Sequence, residues 1–115
     1  MSDDTIDLSV FTELQDAAGS DFIEELVTTF LEETPGILAE LKTAAQSDDQ
    51  DQFRRAAHSV KSNASTFGAV QLAELAREME LDGLQAEMET NEARIAALNE
   101  TFTKAASALK SIING

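Results

Sequence analysis

The sequence predicts an all-α fold: an antiparallel, up-and-down four-helix bundle with a short additional helix at its N-terminal end. Three observations carry this. Four long stretches space their apolar residues by threes and fours, the period of a helix with one buried face, and no stretch shows the apolar/polar alternation of a half-buried strand. The breaks between them are only a few residues long, so successive helices must reverse direction and lie side by side. Finally, 115 residues with 43% apolar content are enough for one core and leave no room for a second. Residues 1–115 are therefore expected to form one domain, without internal repeat or low-complexity linker.

After a short acidic tail, Asp7 is placed to cap a brief helix with Leu8, Phe11, Leu14 and Ala18 at helical spacing, closed by Gly19. Too short to stand alone, it must lie across other helices. Ser20 or Asp21 opens the second helix. Its stripe, Ile23, Leu26, Val27, Phe30, Ile37, Leu38, Leu41 and Ala45, keeps one phase on both sides of Pro35. Proline inside a helix costs about 3 kcal/mol, yet the unbroken phase predicts one kinked helix rather than two. Ser47, Asp48 and Asp49 form the next break, with Ser47 and Gln50 spaced as a capping box.

The third helix, within residues 51–69, buries Phe53, Ala56, Ala57, Val60, Ala64 and Phe67, and Gly68 suits its end because glycine tolerates positive φ. From Val70 a fourth helix shows Leu72, Leu75, Ala76 and Met79 on one face. Its phase then changes: Leu81, Leu84 and Met88 lie on roughly the opposite side, with Gly83 between them. Either the helix kinks at Gly83, or these three form a second apolar strip, serving the core or a partner. Thr90 is placed to cap the last helix, where Ile95, Leu98, Phe102, Ala105, Leu109 and Ile112 form a seam.

The only histidine, His58, lies almost diametrically opposite the buried stripe of the third helix. Asp51, Arg54, Arg55, Lys61, Ser62 and Ser65 share its outward face. A core role is excluded by phase. Acidic residues outnumber basic ones 22 to 8, for a net charge of −14, yet Arg54, Arg55 and Lys61 all gather within a turn of His58. Two possibilities follow: a solvated surface histidine with basic neighbours, or a neutral imidazole acting as an exposed nucleophile toward an anionic group that the cations attract.

Composition excludes several functions. Without cysteine there is no disulfide or thiolate chemistry, and a lone histidine makes a zinc site improbable. The high negative charge repels nucleic acid and anionic membranes. The start has no basic segment followed by an apolar run, and no 18 consecutive residues are apolar, so a cytoplasmic protein is expected. No glycine-rich nucleotide loop is present, which argues against a kinase.

The run AAHSVKSNASTFGA resembles the active helix of histidine phosphotransfer (HPt) domains, intermediates of multistep two-component phosphorelays. The family's phosphorylated His, the Lys three residues on, the small residue after it and the Gly ten beyond the His correspond to His58, Lys61, Ser62 and Gly68. The family most often has Gly at the position of Ser62 and Leu at that of Val60. FLEETPGILAEL, with Pro35, is similar to the second helix of many HPt domains, and the resemblance extends from Leu8 to Ile113.

The resemblance implies a phosphoprotein: His58 reversibly accepts the phosphoryl group of a receiver-domain aspartyl phosphate. Lys61 would stabilise charge on the transferring group, with Ser62 and Ser65 placed to hydrogen-bond its oxygens and Arg54 and Arg55 acting at longer range. The implied partners are response-regulator receivers, free or within a hybrid sensor kinase, docking over the His58 face with help from the first two helices. No cofactor is expected on this chain; Mg²⁺ would belong to the receiver. A monomeric, stand-alone shuttle without kinase activity is the expectation. Two other functions compete. A non-catalytic helical adaptor would use the Leu81, Leu84, Met88 strip but leaves the His58 set as coincidence. A general-base enzyme needs an orienting carboxylate, and Asp51, about two turns away, is too far to supply it.

Overall fold

In the computed structural model, which describes residues 5–114, five helices follow one another: α1 (Leu8–Ala18), α2 (Ser20–Gln46), α3 (Gln50–Thr66), α4 (Val70–Asp82) and α5 (Met88–Asn114). The acidic tail over residues 1–4 and the terminal Gly115 lie outside the described residues. Helices α2 to α5 form the up-and-down bundle, packing in cyclic order, α2 on α3, α3 on α4, α4 on α5 and α5 on α2, while α1 lies across α2 and α3. None of the helices is long and apolar enough to cross a membrane.

The predicted stripes form the core. Ile23, Val27, Phe30, Leu38 and Leu41 of α2 meet Phe53, Ala57, Val60 and Ala64 of α3, Leu72, Ala76 and Met79 of α4, and Ile95, Leu98, Ala105 and Leu109 of α5. Phe30 sits at the centre of an aromatic cluster, its ring 5.0 Å from Phe67 and 5.7 Å from Phe102, which joins α2 to the α3–α4 turn and to α5. Helix α2 is continuous through Pro35, which is exposed, so the hydrogen bond that proline cannot donate is missing from the solvent face.

The helix ends correct the sequence reading in several places. Asp7 does cap α1, accepting from the Ser9 backbone N–H at 3.0 Å. The cap of α3, however, is Asp49, which accepts from the Gln52 N–H at 3.1 Å. Ser47 instead ends α2, in a Schellman turn where Asp48 takes φ +54° and the Asp49 N–H reaches the Ala44 carbonyl at 2.9 Å. Helix α3 stops at Thr66, two residues short of Gly68. A second Schellman turn closes it, with the Ala69 N–H on the Ala64 carbonyl at 2.9 Å and Gly68 at φ +76°. Helix α5 starts at Met88, so Thr90 lies inside its first turn rather than capping it.

Gly83, at φ +68°, ends α4 rather than kinking it. The apolar strip thereby divides: Leu84 packs against the core, while Leu81 and Met88 remain 62% and 44% exposed. Buried Asn91 pins the α4–α5 connection. Its side chain accepts from the Gln85 N–H at 2.8 Å and donates to the Gln85 carbonyl at 3.0 Å. The Gln50 side chain accepts from the Leu84 N–H at 2.6 Å and holds the same connection to the start of α3. These bonds fix the height at which the end of α4 faces α3.

Candidate functional site

Because Phe53, Ala57, Val60 and Ala64 anchor α3 in the core, the opposite face is fixed outward, and His58 exposes 56% of its side chain there. Its ring is nonetheless held. Nδ1 lies 2.8 Å from Oε2 of Glu80 on α4, and the other carboxylate oxygen, Oε1, lies 2.7 Å from Lys61 Nζ. One carboxylate therefore bridges the imidazole and the ammonium. An ionised carboxylate only accepts hydrogen bonds, so Nδ1 carries the proton and donates it, which in the neutral ring leaves the lone pair on Nε2. Ser62 Oγ, one turn on, stands 3.5 Å from Nε2, at the limit of a hydrogen bond.

The Glu80 side chain is 26% exposed and that of Lys61 30%. The hydrogen bond from Lys61 lowers the Glu80 carboxyl below its ordinary range. The His58 hydrogen bond and the nearby positive charge act in the same direction, against partial desolvation. A carboxyl depressed in the folded state stabilises the fold fully above its unfolded range, and that contribution is lost as pH falls through the lowered one. At neutral pH Glu80 is the anion, and the tautomer it selects persists.

The remaining residues proposed from sequence disperse around this centre. Arg54 lies one turn toward the start of α3, its guanidinium packed over Gly83, where an added Cβ would stand 2.9 Å from Nε and Nη2. Arg55 points to the other flank, lining a shallow groove between α2 and α3 with Glu40, Asp49 and Ser59. Ser65 is exposed, two turns beyond His58 or roughly 10 Å along the axis. Gly68 serves the α3–α4 turn, and Pro35 lies within α2 on its solvent face. Among the described residues, no group of three or more His, Cys, Asp or Glu side chains is arranged to hold a metal ion.

Glu80 is the residue that sequence reasoning missed. The carboxylate that α3 itself offers, Asp51, is too distant to orient the ring. The orienting carboxylate comes instead from α4, 22 positions along the chain. The available signal was its phase: Glu80 follows Met79 and lies one turn past Ala76, both buried, so it flanks the face that α4 turns toward its neighbours.

The family model of the Hpt domain matches residues 25–110, most of the chain, including all of α3 and α4. Two solved structures are similar over nearly their full length. The histidine-containing phosphotransfer protein B of Pseudomonas aeruginosa PAO1 superposes with a TM-score of 0.84 at 27% identity, covering 98% of this chain and 97% of that one. The HPT domain of the Hpt sensor hybrid histidine kinase from Shewanella does so with a TM-score of 0.74 at 22% identity, covering 96% and 94%, and speaks for the fold alone. No curated protein matches the chain significantly. With the family model spanning the helix of the lone exposed histidine, the chain belongs to the Hpt domain family of phosphorelay proteins.

Proposed function

We propose that this protein is a phosphocarrier whose His58 takes a phosphoryl group from the aspartyl phosphate of one response-regulator receiver domain and passes it to another, either receiver being free or part of a hybrid sensor kinase. The observation that supports this most is the Glu80 bridge. It fixes the tautomer in which Nε2, the ring nitrogen turned away from Glu80, is the nucleophile. Attack of the Nε2 lone pair on phosphorus forms the N–P bond as the acyl P–O bond breaks, and the aspartate leaves with the bonding pair. The transition state is loose and carries its charge on three equatorial oxygens, so positioning and electrostatics dominate.

Lys61 is the proposed charge stabiliser. Its flexible stem lets the ammonium move from Glu80 toward the arriving oxygens, while the Ser62 hydroxyl lies close enough to Nε2 to donate to one of them. Arg54 and Arg55, one on each flank, add longer-range attraction at the docking surface, with Ser65 at its edge. Helices α1 and α2 join that surface. The protein needs no cofactor of its own; Mg²⁺ resides in the receiver's acidic pocket. It acts as a monomer without autonomous kinase activity, through an interface small enough to release.

The test is to mix the protein with Mg²⁺-charged receiver domains and characterise the product. An acid-labile, alkali-stable phosphoryl group that maps to the peptide containing His58 is expected. Binding of receivers without any such product would instead support a helical adaptor, with exposed Leu81 and Met88 as its contact.

A further inference from the structure

The two oxygens of Glu80 have different partners, and the ring on Oε2 becomes a cation when His58 is charged. Before transfer, the ring donates Nδ1–H to Oε2 at 2.8 Å while Lys61 occupies Oε1 at 2.7 Å. When phosphorus bonds to Nε2, the lone pair is consumed, and a ring that keeps its Nδ1 proton becomes an imidazolium. Its positive charge then lies directly against the Glu80 carboxylate. Loss of that proton to solvent would give a neutral phosphoryl-imidazole, whose leaving group on discharge is an imidazolate anion. With the proton kept, the leaving group is neutral imidazole, which departs far more readily.

We propose that Glu80 is a positioning residue that retains the Nδ1 proton on phosphorylated His58, so that the phosphoryl group stays in its readily transferable form at neutral and mildly alkaline pH. The idea rests on the phosphocarrier reading of His58 and goes beyond it, because it assigns Glu80 a part in discharge distinct from orienting the nucleophile. The surroundings leave Glu80 as the group suited to it. On α3 itself the charged residues within one turn of His58 are Lys61, Arg54 and Arg55, all cations, with Asp51 two turns off. Helix α4 contributes Glu80, with the cationic Arg77 one turn from it. Helix α2 presents Glu40 beside Arg55 and Ser59, in a groove on the other flank. Helix α1 meets α3 at its far end, where the Asp7 backbone joins Gly68. Among the described residues, the lone anion in contact with the ring is Glu80, and its partial burial weakens screening by water.

The experiment compares the wild type with Glu80→Gln and Glu80→Ala, each charged with phosphoramidate, a small phosphodonor that needs no docking. Loss of the phosphoryl group to water is followed by phosphorus NMR across roughly pH 6 to 9. Nitrogen NMR of the uncharged proteins reports the His58 tautomer, and circular dichroism confirms folding. Glutamine keeps a neutral acceptor for Nδ1–H but no charge. Glu80→Gln is therefore expected to retain the Nδ1–H tautomer, yet lose its phosphoryl group with a pH midpoint about one unit lower, close to tenfold slower on the alkaline side. Glu80→Ala is expected to shift the midpoint at least as far and to mix the tautomers as well. A midpoint unchanged in both variants overturns the proposal while leaving His58 as acceptor. Absence of phosphohistidine on the folded wild type overturns the phosphocarrier reading itself, and this proposal with it.

Discussion

Replacing His58 with glutamine is expected to abolish phosphoryl acceptance while leaving the fold intact. Glutamine is a better helix former than histidine and has an amide that can donate to Glu80, but it has no nucleophilic nitrogen lone pair. The site is more than half exposed and outside the core, so the change in stability should stay within about 0.5 kcal/mol, the usual range for surface substitutions. Glu80 keeps its ion pair with Lys61 and is not left without a partner. Because His58 is the only histidine in the chain, no second imidazole is available to take over. Transfer from a charged receiver should fall to background, with the thermal unfolding curve superposing on that of the wild type. Persistence of an acid-labile label at the wild-type level would place the acceptor elsewhere.

The contrast between His58 and Glu80 defines what the sequence can disclose about such a site. Whether a side chain faces the core or water depends on its phase within one helix, and phase is local. His58 could therefore be placed outward from the positions of Phe53, Val60 and Ala64 alone, and α2 could be read as one helix across Pro35 because Phe30 and Leu38 share a stripe. Which residues meet across two helices depends on relative height and rotation, set by packing and by the connections. The height of α4 against α3 is fixed by bonds between side chains and loop backbone, Gln50 to Leu84 and Asn91 to Gln85, that no periodicity reveals. In the sequence Glu80 is one of 22 acidic residues, and only the placement of α4 beside α3 singles it out. The same reasoning explains Arg54: helical spacing put it on the His58 face, but the loop at Gly83 captures its guanidinium. At the helix ends the competition is more local still. Ser47 fits a capping box on spacing, but the Schellman turn at Asp48 already assigns Ser47 to the end of α2 and passes the capping role to Asp49.

Gly68→Ala is expected to be the most damaging single-methyl addition in the chain. Two independent causes act at this position. Its φ of +76° belongs to the left-handed region, where a Cβ costs about 1–2 kcal/mol. The methyl group would also stand 2.7 Å from the Asp7 carbonyl oxygen and 3.1 Å from Val10 Cβ, in a buried spot where the Asp7 N–H donates to the Gly68 carbonyl at 2.7 Å. Overpacking of this kind costs about 1–3 kcal/mol, and neither the Asp7 backbone nor a Cβ fixed to the backbone at Val10 is the flexible end of a side chain that could yield. Together the terms amount to roughly 2–5 kcal/mol, lowering the unfolding temperature by on the order of 10 °C for a chain of this size. Gly36→Ala is the matched control. Gly36 lies inside α2 with a helical backbone and nothing within 4 Å of the new methyl, so the same addition should stabilise by about 0.5–1 kcal/mol. Since Gly68 lies ten residues, roughly 15 Å, along the chain from His58, the folded Gly68→Ala protein should still be charged by phosphoramidate at the wild-type rate. Its loss should appear instead in transfer from a receiver, because the strain loosens the seat of α1, which the proposed docking surface shares. Equal stability of the Gly68 and Gly36 variants would show that α1 yields freely and that the Asp7–Gly68 contact does not fix its place.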